Sequence, residues 1–195
     1  IEEIASNILT QVPHRFALAG LSMGGIVAME ILRRAPDRIT RLCLMDTNPL
    51  AETPDHAAAR EPWIIGVRAG RMADILQDWM RPEYFAPGPQ RQMVLRQMYD
   101  MAESLGPEVF VRQCRALQRR SDQQSALRRC KAPTMILCGE HDTLTPVKRH
   151  TFMAELIPYA ELRILPGAGH VPTLETPESV TAAMRDWLDM PLVLR

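Results

Sequence analysis

Gly20-Leu21-Ser22-Met23-Gly24-Gly25 is the stretch whose reading decides the fold. An apolar run, Phe16-Ala17-Leu18-Ala19, leads into it, and a helical pattern, Ile26, Val27, Met29, Ile31 and Leu32, follows it. Strand, G-x-S-x-G and helix in succession make a nucleophile elbow, a very tight turn from which the serine hydroxyl projects freely. Gly20 and Gly24 are then expected where strand and helix crowd together and a Cβ would clash.

Strands and helices alternate on either side of the elbow. Ile1, Ile4, Ala5, Ile8, Leu9 and Val12 have helical spacing over residues 1–12. Residues 16–21, Ile39–Met45, Thr134–Cys138 and Glu161–Leu165 read as short buried strands, and a helix over 23–35 stops near Pro36. Strands separated by helices predict a parallel sheet covered on both faces. Thr53-Pro54, Thr145-Pro146 and Thr176-Pro177 each offer a threonine N-cap with proline at the first helical position. The last of these opens a helix through Val180, Met184, Trp187 and Leu188 that is expected to pack on the sheet.

Residues 47–121 break this alternation. They read as four helices, near 54–69, 71–80, 90–105 and 107–120, punctuated by Pro82, Pro87, Pro89 and Pro107. A helical insertion after a strand ending in Asp46 reads as a lid over a core made of residues 1–46 and 122–195. Trp63, Trp79 and Phe85 in the insertion, with Val171 from the core, are the candidates for an apolar substrate pocket. The alternative is that such side chains only pack the lid together.

Composition narrows the function classes. With Lys+Arg and Asp+Glu equal at 23 each, no net charge attracts nucleic acid or an anionic membrane. No apolar run reaches the ~20 residues of a membrane span, and the acidic start Ile1-Glu2-Glu3-Ile4 is not a secretory signal. Cys43, Cys114, Cys130 and Cys138 form no C-x-x-C pair, which argues against zinc and for a reduced, cytoplasmic protein.

A serine hydroxyl is a poor nucleophile without a base to take its proton. Of His14, His56, His141, His150 and His170, the last stands out. It lies in Gly167-Ala168-Gly169-His170-Val171-Pro172, just past a strand, where the flanking glycines let backbone enter a crowded site. The histidine needs an acid to fix its tautomer and stabilise its cation. Asp142, in Gly139-Glu140-His141-Asp142-Thr143-Leu144-Thr145-Pro146, follows the Thr134–Cys138 strand and is expected at the same sheet edge as Ser22. Glu140 is the alternative acid, and Asp142 could instead prepare the Thr145 cap.

The order Ser22, Asp142, His170, carried by G-L-S-M-G-G, L-M-D, G-E-H-D-T-L-T-P and G-A-G-H-V-P-T-L-E-T-P-E, resembles the α/β-hydrolase superfamily. Within it the chain looks most like the lidded esterase, enol-lactonase and C–C-bond hydrolase group. The resemblance implies an α/β fold with a parallel sheet flanked by helices and a helical lid. It implies catalysis by Ser22, His170 and Asp142 through an acyl-enzyme, with the Met23 backbone N–H as one oxyanion donor and no metal or organic cofactor. The implied partner is a small acyl compound, a carboxylic ester or lactone. The alternatives are C–C cleavage of dicarbonyl acids, with Arg112, Arg115 and Arg119 as a cationic face, or an inactive chain that serves as an interaction module.

The sheet of that superfamily begins with several strands before the elbow strand, and the elbow here begins at residue 20. The resemblance therefore implies an N-terminally truncated core, the C-terminal portion of a longer hydrolase. It leaves the second oxyanion donor upstream and the Phe16–Leu18 edge bare. A chain complete as it stands is expected to be weakly active or inactive, with a homodimer or strand-donating partner on that edge.

Overall fold

The structure, a computed structural model, describes residues 1–192. Four strands, β1 (Phe16–Leu21), β2 (Ile39–Met45), β3 (Thr134–Gly139) and β4 (Glu161–Leu165), form one parallel sheet in the order β1-β2-β3-β4. Gly20 lies opposite Leu44, Leu44 opposite Ile136, and Ile136 opposite Leu162, so the strands end close together along one edge. Every strand expected from the sequence forms, within one residue of its expected bounds.

Alternation along the strands divides the core into two layers. Leu42, Leu44 and Ile136 face one side, against α1 (Glu2–Gln11), α2 (Met23–Arg34) and α9 (Val147–Leu156). Cys43, Met45, Met135 and Leu137 face the other, against α11 (Pro177–Asp189) through Val180, Ala183 and Trp187. The Trp187 indole N–H donates to the Leu42 carbonyl at 2.9 Å, so the ring is buried without losing its polar contact. The four cysteines are buried, and no disulfide forms among the described residues. Among the described residues, no helix is long and apolar enough to cross a membrane.

The insertion after β2 is helical, as expected, but divided more finely. The expected helix over 54–69 is two, α3 (Pro54–Ala59) and α4 (Glu61–Arg68). Pro62 has no N–H to donate to residue 58 and its ring clashes there, so the helix restarts. α5 (Met72–Trp79), α6 (Arg91–Leu105) and α7 (Pro107–Gln118) follow the sequence reading, whereas α8 (Gln124–Arg128) and α10 (Pro172–Glu175) are too short to show periodicity. These helices hold two apolar clusters of their own. One joins Ile64, Val67, Leu76 and Phe110. The other joins Met80, Phe85, Val94 and Leu95 to Leu21 and Val171 of the sheet region.

Of the three expected threonine caps, Thr53 and Thr176 stand at the cap position of α3 and α11, and of these only Thr53 makes a side-chain capping bond. Thr53 accepts the His56 N–H as a capping side chain does. Pro146 stands at the cap position of α9, leaving Thr145 outside it, and the Thr176 hydroxyl bonds back to the Pro172 carbonyl.

The crowding at the elbow is also redistributed. A Cβ on Gly20 would lie 2.3 Å from the Gly24 carbonyl oxygen, as expected. One on Gly24 meets nothing within 4 Å among the described residues, because Gly24 is exposed at the start of α2. Gly25 is the crowded helix position, with the Thr47 side chain 2.6 Å from a would-be Cβ. Gly20→Ala is expected to cost about 1–3 kcal/mol and Gly24→Ala to be neutral or slightly stabilising. Urea unfolding of the two variants checks this, and equal losses would contradict it.

Glu30, 1% exposed in the middle of α2, ties that helix to α8. It accepts from Arg33 and Arg34 one turn on and from Gln123 at 2.9 Å. The Arg33 hydrogen bond, with those from Arg34 and Gln123, outweighs burial and holds its carboxyl at about 2. A folded value below the ordinary carboxylate one stabilises the fold above that ordinary value, and the contribution is lost as pH falls toward about 2. Glu30→Gln is therefore expected to cost about 2 kcal/mol at neutral pH. That gap should close as the wild-type carboxyl is protonated, and a gap independent of pH would contradict it.

Candidate active site

Ser22 closes β1 and opens α2. Its backbone is at φ 52 and ψ −116, a left-handed conformation that a β-carbon makes costly. Hydrogen bonds with β2, with Thr47 and with the first turn of α2 hold it there. Its N–H donates to the Met45 carbonyl at 2.9 Å, and its own carbonyl accepts the Thr47 hydroxyl at 2.7 Å and the Gly25 N–H at 3.0 Å. The turn is thus held by β2 and by the first residue beyond Asp46. As first residue of α2, Met23 has an N–H with no intrahelical acceptor, at the positive end of the helix.

His170 arrives from the loop after β4. Its Nε2 lies 2.9 Å from Ser22 Oγ and its Nδ1 2.9 Å from Asp142 Oδ2. Asp142 comes from the loop after β3. The ring thus bridges the serine and the carboxylate, which lie far apart in the chain. With Nδ1–H donated to Asp142, the Nε2 lone pair faces the serine hydroxyl. His170 and Asp142 are buried, and Ser22 is partly open.

Asp142 is fully engaged. Oδ1 accepts the Leu144 and Thr145 N–H groups, both at 2.9 Å, and Oδ2 accepts the Thr145 hydroxyl at 2.5 Å as well as His170. Burial alone would raise its pKa, but the His170 and Thr145 bonds outweigh it and hold the carboxyl below the usual range. Thr145, read from the sequence as a helix cap, orients this acid instead. Glu140, the alternative acid, is exposed and pairs with His141 at 3.7 Å, away from His170.

A second carboxyl lies beside the first. Asp46, fully buried at the end of β2, accepts the Gly139 N–H through Oδ1 at 2.9 Å, and its Oδ2 has no hydrogen-bond donor among the described residues. Burial, with Asp142 and Glu175 nearby, pushes its pKa well above the carboxylate range and favours the protonated acid. Two adjacent carboxyls in a dry site do not both ionise readily. Asp46 has one donor, the Gly139 N–H, whereas Asp142 gathers two N–H groups, the Thr145 hydroxyl and His170, which favours charge on Asp142.

Asp46, Cys138 and His150 bring ligand-type atoms within 4.8 Å of one another. His150 Nε2 already accepts the Thr47 N–H at 3.0 Å, and Nδ1 faces the Pro146 carbonyl at 3.4 Å. Burial lowers His150 to about 4 and pushes the Cys138 thiol up, away from the thiolate that binds metal. The donor chemistry is that of a neutral hydrogen-bonded cluster under the site.

The pocket candidates separate. Phe85 and Val171 are buried together in the cluster that reaches Leu21, with Trp79 at its margin. Trp79 also packs edge-on against Phe110, centroids 5.3 Å apart, and lines an apolar cleft of about 140 Å³ with Met98, Met101 and Leu105. Trp63 lies apart, its indole N–H donated to Asp78 at 2.6 Å. Two of the three arginines of the expected cationic face are engaged elsewhere: Arg112 pairs with Glu108 at 3.6 Å, and Arg115 with Glu61 and Gln118.

Sequence reasoning missed Asp46, Thr47, Thr145 and Glu175 as residues of this site. Asp46 closes an apolar strand and Glu175 follows the His170 loop at close spacing, but neither position shows in sequence the backbone donors that give it its role.

The chain is similar in sequence and fold to known proteins. The sequence is 27% identical over 201 residues to a pimeloyl-[acyl-carrier protein] methyl ester esterase of Aromatoleum aromaticum, covering 95% of this chain and 79% of the relative. The fold superposes on a thermophilic esterase from Thermogutta terrifontis at TM-score 0.86 and 29% identity, covering 96% of this chain and 69% of that one. An enol-lactonase from Burkholderia xenovorans shares the fold at TM-score 0.83 and 23% identity, covering 96% and 72% of the two chains. Residues 1–183 match the model of one family through the elbow, the sheet and the His170 loop, and the chain belongs to it: the alpha/beta hydrolase family.

Proposed function

We propose that the protein hydrolyses a carboxylic ester through an acyl-enzyme on Ser22. The observation that carries this reading is the His170 ring, 2.9 Å from the Ser22 hydroxyl on one side and 2.9 Å from the Asp142 carboxylate on the other. The name of the Aromatoleum relative favours an ester as the bond cleaved.

In this mechanism His170 Nε2 takes the Ser22 proton as Oγ attacks the ester carbonyl carbon. The oxyanion forms against the Met23 N–H at the start of α2, where the helix dipole favours negative charge. Asp142 stabilises the imidazolium through the Nδ1–H bond. Collapse breaks the ester C–O bond, and the leaving alkoxide takes the proton from His170. Water, deprotonated by the same nitrogen, then attacks the acyl-serine. The carboxylic acid leaves and Ser22 recovers its proton, so neither cofactor nor redox partner is needed. The helices of residues 47–121 act as a cap, with the cluster from Leu21 through Trp79 and Phe85 as its apolar contact with the site.

Cleavage of C–C bonds in dicarbonyl acids is the weaker reading. Its cationic anchor was the arginine face of α7, and Arg115 is paired with Glu61 of α4.

A fluorophosphonate probe is expected to add once to the wild type, at Ser22, and not to Ser22→Ala, as read by intact mass. No adduct on folded wild type would contradict the proposal. The two buried carboxyls are expected to differ sharply. Asp142→Asn should lower kcat by about 10⁴-fold. Asp46→Asn, which keeps the acceptor for Gly139 and mimics the neutral acid, should stay within tenfold of wild type. Steady-state hydrolysis of a short-chain ester checks this, and the reverse ranking would make Asp46 the working acid.

A further inference from the structure

The backbone that carries His170 is held by a side chain the mechanism does not use. Glu175, in α10, reaches back over the loop. Its Oε2 accepts the Gly169 N–H at 2.9 Å and its Oε1 the Val171 N–H at 3.0 Å, the residues on either side of His170. The N–H of His170 itself donates to the Tyr84 carbonyl at 2.7 Å. All three successive N–H groups are therefore fixed, two by one carboxylate.

The same carboxylate also reaches the helical insertion. Oε2 accepts the Ala86 N–H at 2.7 Å, so Glu175 joins residues 84–86 to residues 169–171. The two segments are pressed together. A Cβ on Gly169 would lie 2.5 Å from the Tyr84 oxygen and 2.6 Å from the Phe85 Cα, and no side chain fits there. Phe85, 1% exposed, and Val171 bury the apolar side of this seam.

Only a group with acceptors on both oxygens satisfies these donors. An ionised carboxylate does so, and an amide presents its own N–H hydrogens to one set of them. Three donors aimed at one side chain exceed what capping a four-residue helix requires. They centre on the residue whose placement sets the 2.9 Å contact to Ser22.

We propose that Glu175 is the positioning residue of His170, holding the imidazole at reacting distance from Ser22 and making that placement depend on the seating of residues 84–86. The inference rests on the ester-hydrolase reading above. Glu175 touches no reacting atom. Its loss lets the loop relax, and displacement of a catalytic group by about 1 Å costs on the order of 10² in rate.

The test measures both the rate constant and the final stoichiometry of Ser22 labelling by a fluorophosphonate, in wild type, Glu175→Ala and Glu175→Gln. Circular dichroism establishes folding at the assay temperature, and hydrogen exchange follows the amides of 169–171. The expected result is full stoichiometry at a rate constant about 10²-fold lower in Glu175→Ala, with faster exchange at Gly169 and Val171. For a turned-over ester, kcat should fall with KM nearly unchanged.

A purely structural role would give fewer labelled molecules at the wild-type rate constant, and that result overturns the inference. So does wild-type labelling in both variants, or failure of both to fold. Wild type that takes no label at Ser22 overturns the hydrolase reading and this inference with it. Wild type that labels beside unaffected variants overturns this inference alone.

Discussion

Everything at the site depends on the hydrogen-bonded line from Ser22 through His170 to Asp142, each contact 2.9 Å long. Its three members come from three loops, after β1, β3 and β4. Such a line holds only if the strands end in register. The sheet supplies that register, with Gly20 beside Leu44, Met45 beside Leu137, and Gly139 beside Leu165. The two apolar layers fix the sheet, and Ser22 is left at its edge in a strained turn. The strain is offset by the Met45 and Thr47 hydrogen bonds and makes the hydroxyl accessible to the imidazole.

Beneath this line lies a layer of neutral polar groups. Asp46, Cys138 and His150 are all buried, and burial disfavours the charged form of each. Their neutrality concentrates the fixed negative charge beneath His170 on Asp142, which gathers the Leu144 and Thr145 N–H groups and the Thr145 hydroxyl. Charge at Asp46 as well would set two carboxylates against each other in a low dielectric. Gathering most of the donors around Asp142, with one N–H on Asp46, is the physical solution the chain adopts.

Much of this was legible in the sequence. The four strands are short, apolar and bounded by Gly, Pro or charge, so both position and parallel topology could be read. Ser22, Asp142 and His170 each follow a strand directly, and the structure brings them together. The errors have local causes. Thr145-Pro146 has the letters of a helix cap, but the hydroxyl has a stronger partner in Asp142. Gly24 fits the crowded position of the motif, yet it is Gly25 that meets Thr47. The 54–69 helix is periodic throughout, and only the missing N–H of Pro62 divides it. Asp46 and Glu175 were hidden because their roles arise from backbone donors that only the folded loops bring near. The apolar pocket was least legible, since Trp63, Trp79 and Phe85 look alike in sequence and are sorted by helix packing alone.

The most direct test of a nucleophilic Ser22 served by His170 is to trap the acyl-enzyme during turnover. Rapid-quench intact-mass analysis with a p-nitrophenyl ester of a short acid is expected to show one acyl group per chain. Peptide mapping should place it on the peptide containing Ser22, and a burst of p-nitrophenol of matching size should accompany it. Steady hydrolysis with no acylated protein, or acylation at another residue, would contradict the account.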